Sequence, residues 1–504
     1  MTNSLASHVA LAFLLAAAVG SAHAQSPARH IRITLKPAGA AQDADRIAVT
    51  VRVTGITAAA GRALFDTPLI TAGEPGPSFT DAGVVASDAS GPLPLLVTDD
   101  TSDAGGFVRL RHFLATRATS GTITLTYVAL VPPANAPRRS GPPFDLRRND
   151  GGVSGSGAGL LVLPVDTAMY QTRIIWDLSE MPRGTHAVSS LGVGTLSLST
   201  TMETLRATYF MVGPVQSLPA RGSTGDFSAW WLGTPHFDAP GVMMWTRRAY
   251  GAMRSFFRDT STAGFLMFGR PGSIATSGGA ALTNSFMISF GTDTESVASL
   301  HFLLAHELAH HWLGSLAGPP GTMSWFGEGL AEYYRLRLPF LVKLIDVDTY
   351  ADGLLHATHD YFANPRIRLP NDSIQAGFWK DGDVRRLPYQ RGFMYFANLD
   401  ATLRRTSRGK QSLDTVIHAL LASHRDSRAY DVATWLRIVS RALGPNAAGM
   451  ARADLDAMLG GAIIMPPDDA FGPCFTRREI ALPSGTSYEW VRSTSAATTD
   501  CLLP

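Results

Sequence analysis

The sequence predicts a multidomain α+β chain: an N-terminal antiparallel β domain, a central domain of mixed elements and a helical C-terminal part. Three observations predict it. Apolar and polar residues alternate at Ile31–Leu35, Ile47–Val53 and Ile123–Tyr127, a period of two that puts one face on a core and one in water. Beyond about residue 240 the apolar spacing becomes helical. With 504 residues, the chain is too long for a single core.

The first 24 residues read as an export signal. The apolar run Val9–Val19 is too short to span a bilayer, and Ala22-His23-Ala24 forms an A-x-A cleavage pattern. The predicted localisation is therefore periplasmic or secreted, with no integral membrane segment after cleavage. Residues 25–214 read as the β-rich domain. Within it, the Pro/Gly-rich stretch 132–159 cannot hold a regular element for long and reads as a loop or flexible linker. Strand patterns resume at Leu160–Pro164 and Thr172–Trp176.

Residues 215–350 form the predicted central domain, with a helix at Gly241–Asp259, a short strand at Phe265–Phe268 and a long helix at about Thr294–Leu316. Residues 351–470 read as mostly helical, at Gly353–Phe362, Gly392–Arg405, Leu413–His424 and Val432–Leu443. Residues 471–504 read as a short tail holding the two cysteines, Cys474 and Cys501. Export and the even count favour a disulfide between them; two unpaired thiols are the other reading.

Charged residues make up 17% of the chain and the formal net charge is +2. No basic block of the kind that neutralises phosphates is present, so nucleic acid is not an expected partner.

The chemistry concentrates in His306-Glu307-Leu308-Ala309-His310. On a helix, positions i and i+4 share a face, so two imidazoles can reach one Zn²⁺. Glu307, between them, can reach a water at the metal and act as a base. A catalytic zinc takes a third protein ligand and leaves its fourth position open. Glu328 supplies that ligand, eighteen residues after His310, within WFGEGLAEYY. Gly318-Pro319-Pro320-Gly321 provides the sharp turn that lets a second helix return. His301 and His311 are not expected ligands; His311 points about 100° away from His310 on the helix.

HELAHHWLG followed by WFGEGLAEYY resembles the gluzincin metallopeptidases, which include the aminopeptidase N relatives and the glycyl aminopeptidase family, usually PDZ-containing. The resemblance implies a thermolysin-like catalytic domain over 215–350, one Zn²⁺ per chain on His306, His310 and Glu328, Glu307 as general base, and a peptide or protein substrate. About 35 residues follow position 470, too few for a PDZ domain. Tyr389-Gln390-Arg391-Gly392 is similar to the family's Y-x-K-G signature, whose tyrosine hydroxyl steadies the tetrahedral intermediate. Tyr389, read as lying at the start of a helix, is then a catalytic donor, and Arg391 keeps the charge of the family's lysine in different geometry.

GGAALTNS, beginning at Gly278, resembles the glycyl aminopeptidase stretch G-G-L-E-H-x-x-S. Gly278, Gly279, Ala280 and Ala281 then form a substrate-binding edge that pairs with a peptide backbone. The family glutamate that holds a substrate's free amino terminus is Ala281 here. Endopeptidase action and aminopeptidase action through another anchor both stay open, as does a zinc-bearing protein that captures peptides with little cutting. Glu332, one turn beyond Glu328, reads either as the carboxylate that orients a ligand histidine or as an exposed helix charge.

Overall fold

The computed structural model describes residues 29–504 except 40–43, 78, 80–82, 138–140, 221–225, 276, 294, 424–428, 446, 483–484, 494–500 and 502–504. The export signal lies outside the described residues. The described chain forms two compact units, one of residues up to Arg247 with Ser261–Leu300, the other of Arg248–Thr260 with His301 onward.

The first unit is built on β-sheets. A seven-stranded sheet runs in the order Leu196–Thr200, Tyr170–Trp176, His30–Ala38, Arg46–Thr54, Ile123–Leu130, Val84–Asp88 and Gly91–Pro92. Its neighbours are antiparallel except for the parallel pair His30–Ala38 and Tyr170–Trp176. The register sets Ile33 opposite Val51 and Val51 opposite Leu125, so the apolar phase of each strand falls on one face. These side chains join Phe65 and Phe113, from the sheet that pairs Ala63–Thr71 with Val108–Ala115, in one buried cluster. The fold is thus the α+β multidomain class that the alternation indicates, β-rich first and helical later.

The stretch 132–159 is not a loose linker. It contains the hairpin Arg147–Asn149 and Gly152–Ser156, which extends a five-stranded sheet through Tyr209–Gly213. Two buried arginines bind described segments of this stretch. Arg147 donates to the carbonyls of Ala134 and Ala136, each at 2.7 Å, and to Asp145 Oδ2 at 2.7 Å. Arg270 donates to the Asp145 carbonyl at 2.8 Å, the Ser154 carbonyl at 3.0 Å and Asp145 Oδ1 at 2.7 Å. A guanidinium carries five donors, enough to satisfy carbonyls that no strand partner reaches.

A mixed five-stranded sheet completes this unit, in the order Gln216–Leu218, Phe227–Trp231, Phe265–Pro271, Ser285–Phe290 and Gly278–Leu282. Gly278–Leu282 is an edge strand, antiparallel to Ser285–Phe290.

The second unit is mainly helical. Its long helices are Ser324–Leu341, Val347–Ala363 and Gly382–Ser407, followed by Leu413–Ser423, Val432–Leu443 and Ala448–Leu459. Asp346 and Asp381 cap the second and third of these, accepting from the backbone N–H of Thr349 and of Asp383. Two carboxylates, one buried and one half-buried, tie Ser324–Leu341 to its neighbours. Asp400 accepts from the Tyr333 hydroxyl at 2.8 Å and the Leu413 amide at 2.7 Å, and pairs with Arg404 at 3.0 Å. Asp414 accepts from the Tyr334 hydroxyl at 3.0 Å and from Arg337 at 2.8 Å.

The C-terminal segment is more ordered than its prolines indicate. Phe475–Leu482 and Gly485–Arg492 form a hairpin, and Cys474 and Cys501 are joined in a disulfide. Trp490 is fully buried; its indole N–H donates to the carbonyls of Pro467 and Asp468. Its ring lies 5.4 Å from that of Phe471, and Phe475 packs edge-on against Tyr350 at 5.3 Å.

Candidate metal centre

The metal motif sits on the helix Val297–Ala309, shorter at both ends than the apolar run indicates. After Ala309 the chain tightens: the amides of His311 and Trp312 bond back three residues, to Leu308 and Ala309. Leu304, Ala305, Leu308 and Ala309 are buried, which fixes the helix rotation and sends His306 and His310 to a common side. The chain then turns through Gly318–Gly321, where Gly321 takes a positive φ of 77°, and Ser324–Leu341 begins. Glu328 lies in the second turn of that helix.

Three ligand atoms converge. His306 Nε2 and His310 Nε2 stand 3.0 Å apart, and Glu328 Oε2 lies 3.2 Å from each. Tetrahedral zinc with bonds of about 2.0–2.1 Å spaces its ligand atoms about 3.3 Å apart, so the three fit one face of that tetrahedron. The donor set, two neutral imidazoles and a carboxylate, is a borderline-hard N₂O set that suits zinc. Among the described residues this is the group of histidines and carboxylates placed to hold a metal ion.

The surroundings are strongly charged and mostly buried. His306 and Glu307 are each 7% exposed. Burial disfavours charge on His306, but Glu328 and Glu332 outweigh it and raise its pKa to about 10 in the absence of an ion. Burial alone would raise Glu328; His310 and His306 reverse this and hold it well below the usual carboxylate range. Glu307 is pushed up by burial, against the pull of His306 and His310. A base with a raised pKa accepts a proton more readily than a free carboxylate.

Tyr389 lies beside the motif, its ring stacked near that of His306 with centroids 5.9 Å apart and planes 16° from parallel. It does not begin a helix. Gly382–Ser407 starts seven residues earlier, and Pro388 is accommodated inside it. Proline's missing N–H leaves one carbonyl of the preceding turn unpaired, a tolerated defect rather than a stop here. Burial and then the carboxylates of Glu328, Glu307 and Glu332 push the Tyr389 hydroxyl well above its usual range, so it stays a donor.

Arg391 is fully buried and directed elsewhere. It donates to the carbonyls of Ile367 at 3.0 Å and Leu369 at 2.7 Å. Burial lowers its pKa. His311 is 3.8 Å from Asp259 Oδ2, and its ring packs edge-on to Trp312. Burial, then Arg248, lowers the pKa of His301 to about 4. Neither joins the ligand group. Gly278–Ala281 belongs to the β unit, on its edge strand.

Glu332 Oε1 stands 2.9 Å from His306 Nδ1, at ion-pair distance though out of line with a ring N–H. Its other oxygen faces Arg335, with Nη2 at 2.7 Å and Nε at 2.8 Å. The sequence gives little sign of Arg335; an opposite charge three residues on is a common helix-surface pattern.

No family model and no curated protein matches the chain. Solved structures do. An aminopeptidase N family protein from Idiomarina loihiensis aligns at TM-score 0.67 and 14% identity, over 90% of this chain and 79% of that one. An M1 zinc metallopeptidase of Deinococcus radiodurans, bound to a Tyr-Ser-Ala substrate, aligns at 0.52 and 16%, over 87% and 94%. Native yeast LTA4 hydrolase aligns at 0.52 and 12%, over 91% and 70%. At these identities the likeness is one of fold: the chain has the α+β multidomain architecture of the aminopeptidase N-like zinc metallopeptidases.

Proposed function

We propose that this chain is an exported zinc metallopeptidase that hydrolyses peptide bonds. The observation that carries the reading is the convergence of His306, His310 and Glu328, spaced as one face of a zinc tetrahedron, with Glu307 between the two histidines in sequence. When bound, zinc supplies a Lewis acid that activates water and polarises the scissile carbonyl. Glu307 takes the proton from the attacking water and delivers it to the leaving amine. The Tyr389 hydroxyl donates to the oxygen that becomes negative as the carbonyl carbon turns tetrahedral. Glu332 holds the ring of His306, and Arg391 supports the helix of Tyr389 by fastening it to the chain at 367–369.

The edge strand Gly278–Ala281 offers backbone groups to an extended peptide. Its sequence favours the glycyl aminopeptidase relatives among the gluzincins, with Ala281 where they carry an acidic anchor. That substitution also supports a second reading, a zinc-bearing protein that binds peptides and cuts them poorly. Among the described residues no helix is long and apolar enough to cross a membrane.

Mass-spectrometric profiling of a peptide library, half of it N-terminally blocked, tests the proposal with zinc-loaded wild type beside Glu307→Gln. Single residues released from unblocked peptides alone indicate an aminopeptidase with another anchor. Internal cuts in blocked peptides indicate endopeptidase action. Binding without cuts by the wild type overturns the enzyme reading in favour of the second.

A further inference from the structure

We propose that Arg335 is a positioning residue for the metal, acting through Glu332 on His306; the inference rests on the zinc reading above. The bland alternative is an i,i+3 ion pair on a helix surface, worth little. Three observations separate the two.

The first is how Glu332 divides its oxygens. Oε1 faces His306 Nδ1 at 2.9 Å, while Oε2 receives both Arg335 Nη2 and Nε, at 2.7 and 2.8 Å. A glutamate has three rotatable bonds, and one oxygen held by two donors of a planar fork fixes the carboxylate.

The second is the anchorage of the arginine. Its guanidinium carbon lies 5.6 Å from the ring centre of Phe302, which is buried. Phe302 precedes His306 by four residues on the same helix, so it lies one turn away on the same face. Arg335 thus rises from the helix that carries Glu328 and rests on the helix that carries His306. It references the Glu332 carboxylate to the helix whose ligand that carboxylate must orient.

The third is the state of His306 Nδ1. It is a buried atom, and Glu332 Oε1, 2.9 Å away, is the carboxylate oxygen that stands next to it. A ligand imidazole needs its lone pair on Nε2, hence its proton on Nδ1, and an acceptor at Nδ1 selects that tautomer. Loss of the Arg335 fork frees Glu332 to turn towards water, and the ring of His306 loses its reference.

The test measures zinc dissociation constants by competition with a chromogenic chelator. The proteins are the wild type, Arg335→Met, Arg335→Lys, Glu332→Gln and the double variant Arg335→Met/Glu332→Gln, with thermal unfolding of each metal-free form alongside. Outer partners of ligand histidines typically contribute 10- to 100-fold to metal affinity. Arg335→Met is expected to weaken zinc binding about tenfold, and Arg335→Lys to recover part of it. The double variant is expected to be no weaker than Glu332→Gln alone, because the arginine acts through that carboxylate. Wild-type affinity in Arg335→Met overturns the inference. So does a double variant whose loss is the product of the two single losses, which is what a merely structural role gives. A wild type that binds no zinc sinks the peptidase reading itself and this inference with it; a wild type that binds zinc beside an equally tight Arg335→Met sinks this inference alone.

Discussion

Gly329 and Gly392 let two helices touch backbone to backbone. A Cβ on Gly392 would stand 2.1 Å from the Trp325 carbonyl oxygen and 2.6 Å from Gly329 Cα; a Cβ on Gly329 would stand 2.4 Å from Gly392 Cα. The helices that cross here carry Glu328, next to Gly329, and Tyr389, three residues before Gly392. The spacing of Glu328 and Tyr389 is thereby set by two hydrogen atoms where side chains would be.

Gly392→Ala is therefore expected to destabilise the chain by about 1–3 kcal/mol or more, because the obstacle is backbone and cannot rotate aside. Zinc affinity should fall with it. A methyl group on Gly251, inside the helix Ala239–Phe256, would meet nothing within 4 Å. Gly251→Ala should instead stabilise by about 0.5–1 kcal/mol. Urea unfolding of both variants checks the contrast.

Glu307→Gln should keep its zinc, since no ligand atom is lost, and should lose turnover by at least about 10²–10⁴-fold, the usual contribution of a general acid–base group. Metal content by plasma emission and peptide cleavage on the same sample decide it. Loss of zinc together with activity would assign Glu307 to the ligand set instead.

Chelation should lower the melting temperature, and zinc should restore it in a concentration-dependent way. A ligand that binds only the folded state adds about 2.7 kcal/mol at a hundred times its dissociation constant. Glu328→Gln should shrink the zinc-dependent shift strongly, and calorimetry with and without chelator reads it.

The Asp381 cap predicts a pH dependence. The Asp383 amide, foremost, and Arg366 hold its carboxyl below the usual range. Its contribution is complete above the unfolded-state value of about 4 and is lost as pH falls through the lower folded value. Asp381→Asn caps without titrating. Its acid-unfolding curve should be flatter than that of the wild type below about pH 4, as circular dichroism would show.

The cluster of His306, His310 and Glu328 is largely legible in the sequence because its rules are local. His306 and His310 share a helix face by spacing, and the Gly/Pro turn plus Glu328 need only a helix that returns. The strands at Ile31, Ile47 and Ile123 are equally readable from alternation. What escapes depends on long-range contacts. Tyr389 reads as lying at the start of a helix because the helical period is plain only from Gly392, yet the capping Asp381 and the packing of Val384 and Leu387 begin the helix earlier. Residues 132–159 look structureless because carbonyls such as those of Ala136 and Asp145 are satisfied by Arg147 and by Arg270, which lies more than a hundred positions away. Arg391 looks like part of the reaction centre by its neighbours in sequence; its side chain is committed to the segment at 367–369.

The disulfide beside the C-terminal hairpin makes the completeness of this fold depend on redox conditions. Its loop spans 27 residues, and closing one of that size stabilises by about 3–4 kcal/mol in the chain-entropy account. Trp490 and Phe475, which it retains, roof Phe471 and Tyr350. A chain held in a reducing cytosol would lack this latch and leave those aromatics open to water and proteases, whereas an oxidising compartment would finish the fold. The same crosslink that stiffens the protein would then record, as its intactness, the redox conditions the chain has met.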